Sequence, residues 1–592
     1  MSTKENSWLS SYRHHLTRRR FLSGAAVGAS GVILLACSSN GSSAPQGALK
    51  PGDVRGSGSI WYARNNWNLA DETDQAVPGG VYPGHESRDV NESFEPFIAT
   101  DSFTESFHDR SYEYLLRRNR GPGIAPGTAE YLTPQGNLAA DWEISDDALS
   151  VTFTMREGVK FHPIAPVNAR EMSLQDWRSS WERFMAVGSN RLDITELVDK
   201  VEWPDARHMV MKLKVPYGPL PGRMMDKDFM FKIVPKELVE NPDLASQRPI
   251  GTNYRILDKI QPSSTSEFRR HDAYWAGKPF VERWHYPVIP EYSNRYAQFV
   301  AKNIVSFSPN ARDVLKLHGD ARDAILEAAE ISTTSIRTMA FGEIDKNTVP
   351  WRDSRVRIAI QKSVNWDGIA DFLSNRGALT AAGIEPEVGF NTHVPMDPAF
   401  WLDPRKGELG EASKNYLYDP VESKKLLAAA GHASGIDLGM LIQIGNEVDQ
   451  MGLLLDEYNR FGLIRIIPRE VNRTEFFADG VYSRSFQGIR MPYPSAGTDV
   501  DYLFYRFYHG SSLNVYPDAK LDELIDAQRR AIDPLKRAAI IKDLQLHIAT
   551  TFCVNVGSHP FSTWNFEWPW LHNVNQTGEL QWLDPNMPRR NG

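Results

Sequence analysis

Three observations predict a mixed α and β fold of several units for this chain. Its 592 residues are 41% hydrophobic and 11% aromatic, enough to bury more than one core. Stretches of period-two alternation are interleaved with stretches of helical periodicity. The helical stretches also open on side chains suited to cap a helix start.

The first 36 residues read as a targeting segment and not as part of the fold. Arg13, Arg18, Arg19 and Arg20 form a basic region, Phe21 to Leu35 a mildly apolar one, and small residues follow. That apolar stretch is too short and too rich in Gly, Ala and Ser for a comfortable membrane span. The pair Arg18-Arg19, within Thr17-Arg-Arg-Arg-Phe21-Leu22-Ser23, resembles a twin-arginine export signal. Leu34-Leu35-Ala36-Cys37 resembles the lipobox of bacterial lipoproteins, which implies cleavage before Cys37 and acylation of its thiol as the membrane anchor. The Ser, Gly and Asn run that follows suits a flexible tether over 37–58.

Residues 1–36 hold five of the 66 Lys and Arg and one of the 74 Asp and Glu, so their removal takes the net charge from −8 to −12. An acidic chain without a long basic run argues against nucleic acid as a partner. Cys553 is the one other cysteine, so the mature chain has no pair for an internal disulfide. Its setting, Phe552-Cys553-Val554, predicts a buried hydrophobe.

Along the mature chain, strands are predicted at 59–63, 151–161, 208–214, 283–289 and 438–444. In the second of these, Val151, Phe153 and Met155 alternate with Thr152, Thr154 and Arg156, and Glu157-Gly158 marks a turn. Asp353 is placed to cap a helix carrying Val356, Ile360 and Val364 on one face. Asp419-Pro420 and Asp533-Pro534 set a capping oxygen before a proline at the first helical position, Asp518 caps another start, and Gly431 closes the apolar run after Leu426. Trp564, Trp568, Trp570 and Trp582 near the end fit either a completed core or a sugar-stacking surface, with burial statistics favouring the core.

Catalytic and metal-binding patterns make definite demands on spacing, and none is met. His85-Glu86-Ser-Arg-Asp89 lacks the second histidine of a zinc peptidase. No Gly-x-Ser-x-Gly elbow, dinucleotide or phosphate loop, or Cys-x-x-Cys pair occurs, so no catalytic residue, metal ligand or cofactor is assigned. The stretch from Arg490 to Gly510 does suggest a ligand site. It sets Arg490, Asp499 and Asp501 among Tyr493, Tyr502 and other aromatics, a supply of walls and charges suited to a small polar or zwitterionic ligand. A surface loop packing its own tyrosines is the plain alternative.

Several segments taken in order resemble the family 5 extracellular solute-binding proteins, which deliver peptides and other solutes to ABC importers. Leu138-Ala-Ala-Asp-Trp142, continued by Thr152-Phe-Thr-Met-Arg156-Glu-Gly158-Val-Lys-Phe161-His162, resembles the family's signature segment. Pro249-Ile-Gly251-Thr252-Asn-Tyr254, His271-Asp-Ala-Tyr274-Trp275-Ala-Gly277-Lys-Pro279, Trp351-Arg-Asp353, Tyr418-Asp419-Pro420 and Leu521-Asp522-Glu-Leu524-Ile525 follow in the family's order. Two departures stand out: Pro163-Ile164 replaces the usual Asp-Gly, and Gly497-Thr-Asp499-Val-Asp501-Tyr502 replaces an Asp-Tyr-Pro-Asp-Pro loop.

The resemblance implies a type II periplasmic-binding-protein-like fold with two main lobes, a hinge and an inserted third lobe. Lobe I would take 59–105, 205–300 and 545–592, lobe II 106–204, and lobe III 301–544. It implies a monomeric, non-enzymatic receptor without cofactor, lipid-anchored in the periplasm or on the outer face of the cytoplasmic membrane. Its partners would be a peptide or other small solute and ABC permease subunits. Arg490 would meet a ligand carboxylate, and Asp499 or Asp501 an amine. The alternatives are the same fold binding a nickel chelate, haem or an oligosaccharide, and an exported enzyme or chaperone-like lipoprotein.

Overall fold

The alternating run after Ser145 forms the expected strand, in a ribbon whose other strand precedes it. Ala139–Ile144 pairs antiparallel with Ser150–Met155, whose Val151, Phe153 and Met155 are buried while the threonines between them are half-buried. Each such burial contributes about 1.5–3 kcal/mol. The strand ends earlier than predicted because Gly158, at φ +73°, turns the chain; only an isolated bridge from Lys160 to Glu171 follows. The computed structural model describes residues 52–88, 94–98, 102–189, 191–225, 231–329, 331, 336–342, 349–443, 448–472, 475–476, 488–490, 499–510 and 518–587. Arg18, Arg19 and Cys37 lie outside them.

Four larger sheets organise these residues. One joins Ile60–Tyr62, Ile325–Ala328, Trp564–Glu567 and Ser306–Phe307, in that order. The second joins Val81–Pro83, Arg283–Pro287, Thr265–Arg270 and Arg255–Gln261. The third carries the ribbon, followed by His208–Leu213 and Val198–Glu202. In the fourth, Ile436–Gln443 runs parallel to both Ile464–Val471 and Ile489–Arg490, and Thr338–Phe341 lies antiparallel between Ile489–Arg490 and Asn555–Val556. Helix Val448–Asn459 makes the crossover that a parallel pair requires.

Three strand pairings cross the divisions expected from the sequence. His208–Leu213 pairs with Ser150–Met155, across 204. Ser306–Phe307 pairs with Trp564–Glu567 and Ile325–Ala328 with Ile60–Tyr62, across 301. Asn555–Val556 pairs with Thr338–Phe341, across 545.

The helix starts are built as predicted. The side chains of Asp353, Asp419, Asp518 and Asp533 each accept a backbone N–H of the first turn, and Pro420 and Pro534 occupy the first helical positions. Gly251 explains part of the Pro-x-Gly-Thr segment: a Cβ there would sit 1.9 Å from the Ser111 carbonyl oxygen. Cys553 is buried, and Trp564, Trp568 and Trp582 are core residues, with Trp568 stacked on Trp570 at 5.4 Å.

Residues 52–58, assigned by composition to the tether, run along the body. Gly58 N donates to Asp323 O, and Arg55 is clasped between Glu327 at 2.8 Å and Glu567 at 3.0 Å.

Candidate functional site

A cavity of about 300 Å³ lies between the sheet that carries the ribbon and helix Pro534–Thr551. One side is made by Arg118 to Arg120, Tyr131, Trp142, Ile144 and the short helix Leu220–Arg223. The other side is made by Asp397, Phe400, Asp499, Val500 and helix Pro534–Thr551. On that helix Pro534, Arg537, Ala538 and Ile541 face the cavity together, as residues spaced three and four apart must. Gly222 lets the short helix approach closely; a Cβ there would press to 3.3 Å from Asp499 Oδ2. The volume and the largely apolar wall are those of a small-solute site.

Asp499 is the sequence-predicted residue that borders this cavity. It receives two parallel hydrogen bonds from Arg537, both 2.6 Å. Burial alone would raise its carboxyl, but the Arg537 charge and hydrogen bonds outweigh burial and hold it below the usual carboxylate range.

Asp501 sits one layer behind the wall and is fully buried. Its oxygens accept from Tyr217 Oη at 2.6 Å and Gln528 Nε2 at 2.6 Å, with Arg529 Nε at 3.3 Å. Arg223 donates to the Tyr217 hydroxyl, Gln528 receives a hydrogen bond from Arg537, and Asp501 N donates to Asp499 Oδ1. One connected network therefore ties Tyr217 and Arg223, beside the ribbon's sheet, to Asp499, Asp501, Gln528 and Arg537. Gly218 N donating to Arg529 O at 2.7 Å adds a backbone link beside it. Burial and the adjacent Asp501 raise the Tyr217 hydroxyl well above its ordinary value, so it stays a donor.

The other candidates lie elsewhere. Arg490 is fully buried on strand Ile489–Arg490, stacks over the Phe476 ring at 4.6 Å and donates to Phe476 O at 2.7 Å; it is not on the cavity wall. Tyr502 is half-buried away from the wall, with the guanidinium groups of Arg223 and Arg506 over its ring. Tyr493 falls outside the described residues. Sequence reading passed over Arg118, Arg120, Asp397 and Arg537. The run Leu115-Leu-Arg117-Arg118-Asn-Arg120 was a visible signal, three arginines in four residues of an acidic chain.

Among the described residues, no group of three or more His, Cys, Asp or Glu is placed to hold a metal ion. No helix among them is long and apolar enough to cross a membrane.

Comparison with known proteins fits this architecture. The chain is 26% identical over 329 residues to heme-binding protein A of Haemophilus influenzae, covering 52% of this chain and 55% of that one. It is 25% identical over 377 residues to the dipeptide-binding protein of Escherichia coli, covering 59% and 63%. The chain thus matches somewhat over half the length of these curated relatives. An ABC transporter-associated periplasmic binding protein from Helicobacter pylori, solved with the peptide STSA, superposes with a TM-score of 0.65 at 18% identity, over 86% of this chain and 99% of that one. The shared fold is that of the type II periplasmic binding proteins. The profile of the bacterial extracellular solute-binding proteins, family 5 middle, matches residues 133–512, more than half of the chain, and the protein belongs to that family.

Proposed function

We propose that this protein is the solute receptor of an ABC importer, capturing a small solute, with peptides the first class to test, in the cavity between its inserted and third units. The observation that carries the reading is the cavity itself. It is walled by two units that one buried network holds together, in a chain of a receptor family. Asp499 borders the solute directly and Asp501 braces the wall behind it. Closure of lobes about a hinge is how such an arrangement buries a ligand and offers a distinct closed surface to permease subunits.

The proposed receptor is a monomer, with no enzymatic activity of its own. The Arg18-Arg19 pair directs export, and Cys37 carries the acyl anchor, on the periplasmic or outer face of the cytoplasmic membrane. The likeness to a heme-binding protein keeps a non-peptide solute as the second reading.

Native mass spectrometry of gently purified protein, followed by denaturation and identification of what is released, tests the ligand. Short peptides support the first reading, haem or another single solute moves it to the second, and no solute under any growth condition contradicts both. For the anchor, Cys37→Ser is expected to move the protein from the membrane to the soluble fraction; unchanged membrane retention would refute it.

A further inference from the structure

We propose that residues 52–58 are a docked strap, latched by Arg55, that brings the anchor segment out of the body beside the edge of the cavity. This rests on the reading of Cys37 as the anchor. Backbone bonds hold the strap at both ends. Gly52 N donates to Asn68 O at 2.6 Å and Ala70 N to Asp53 O at 3.0 Å; at the other end Gly58 N donates to Asp323 O at 3.1 Å. Gly52, Val54, Gly56 and Ser57 are exposed, whereas the Arg55 side chain, 7% exposed, is taken into the body.

The Arg55 guanidinium bridges two strands. Its Nη2 donates to Glu327 at 2.8 Å and its Nη1 to Glu567 at 3.0 Å. Glu567 lies opposite Ile325, and Glu327 stands two residues further along that strand, so both carboxylates belong to one face of the sheet. A planar fork reaches two such carboxylates at once, where the compact ammonium of a lysine does not. Neutralising the carboxylates would strand a buried guanidinium, a cost relieved by undocking the strap.

Where the strap ends decides which side of the body meets the membrane. The fourteen residues 38–51 span at most about 50 Å, less than the roughly 60 Å width of a folded chain of this length. Docked, the strap lets the chain go at Gly52, bonded to Asn68. The adjacent Trp67 accepts from Gly123 N at 3.0 Å, and Arg120, three residues before Gly123, lines the cavity. Undocked, the chain would leave at Ser59, at the far end of the strap beside Asp323.

Trypsin reads the latch directly. Between Cys37 and the body the basic residues are Lys50, whose bond to Pro51 resists trypsin, and Arg55. Membranes carrying the full chain are treated with trypsin, and released bodies that begin at Gly56 are measured by mass spectrometry, apart from any that begin at Asn65. Wild type is expected to shed slowly, and Glu327→Gln/Glu567→Gln about tenfold faster or more, because the cut needs the strap undocked. Arg55→Lys keeps a tryptic bond without the fork and is expected to shed faster too. Wild type shed as fast as the variants would overturn the proposal, as would both variants staying as slow as wild type.

Elastase, which cuts after small residues such as Ala48, separates the strap from the anchor. It is expected to free wild type and variants alike. If bodies cut there stay on the membrane, the anchor reading fails and the membrane side falls with it, while the latch still stands or falls on the rate of the Gly56 cut.

Discussion

Tyr217 donates its hydroxyl proton to Asp501 at 2.6 Å, joining residues 284 apart in sequence behind the cavity wall. The bond is fully buried, so its loss leaves a carboxylate short of a donor. Tyr217→Phe is expected to cost about 1.5–3 kcal/mol, the range for a hydrogen bond to a charged group. Denaturant unfolding monitored by tryptophan fluorescence measures it. Because the bond ties the two sides of the cavity together, solute retention on dilution should also shorten; unchanged stability and retention would remove the network from the account.

Asp499 and Arg537 form a bidentate pair with little exposure, 9% and 15% for the two side chains. Asp499→Ala strands the guanidinium and is expected to destabilise by about 3 kcal/mol. Replacing both partners with apolar residues of similar size should cost much less. The pH dependence has a definite sign. The folded carboxyl is held below its unfolded value, so the stabilisation is present above about pH 4 and lost as pH falls through the depressed value. Acid unfolding of wild type against Asp499→Asn measures the difference.

Glu567 behaves in the opposite sense. Burial pushes its carboxyl up to about 7; Arg55 pulls it down, and neighbouring Glu327 pushes it further up. In the fold it holds a proton that the unfolded chain has released above about pH 4.5. Its contribution is therefore fully present below that value and lost as pH rises through about 7. Glu567→Gln should melt close to wild type at pH 5 and gain on it by pH 8. A difference that stays constant across that range would contradict the assignment.

At Gly251 the prediction is steric. A methyl group would meet the Ser111 carbonyl at 1.9 Å, so the backbone must move. Gly251→Ala is expected to cost about 1–3 kcal/mol as an overpacking change. Thermal unfolding measures the loss, and a melting temperature equal to wild type would mean that the segment yields freely.

What the sequence revealed and what it hid follow from the range of each interaction. Helix starts at Asp353, Asp419, Asp518 and Asp533 were legible because a cap and the N–H it accepts lie two or three residues apart. The strand at 150–155 was legible because alternation is local. The long-range strand pairings were not, since Asn555 pairs with Met339 and Leu326 with Ile60, partners that no local pattern encodes. Asp499 and Asp501 were singled out as chemistry-bearing residues. Their partners Arg537 and Tyr217 were invisible in sequence because each is supplied by a separate element. Arg490 drew notice as a charge near aromatics, and the strand that carries it points the guanidinium at Phe476.

The central claim is that a small solute is held in the cavity between the inserted and third units. Native mass spectra of wild type and Ala538→Trp, expressed and purified side by side and shown to melt alike, test it most directly. The account predicts a bound mass on the wild type that is missing from the variant. The same bound mass on both proteins would contradict it.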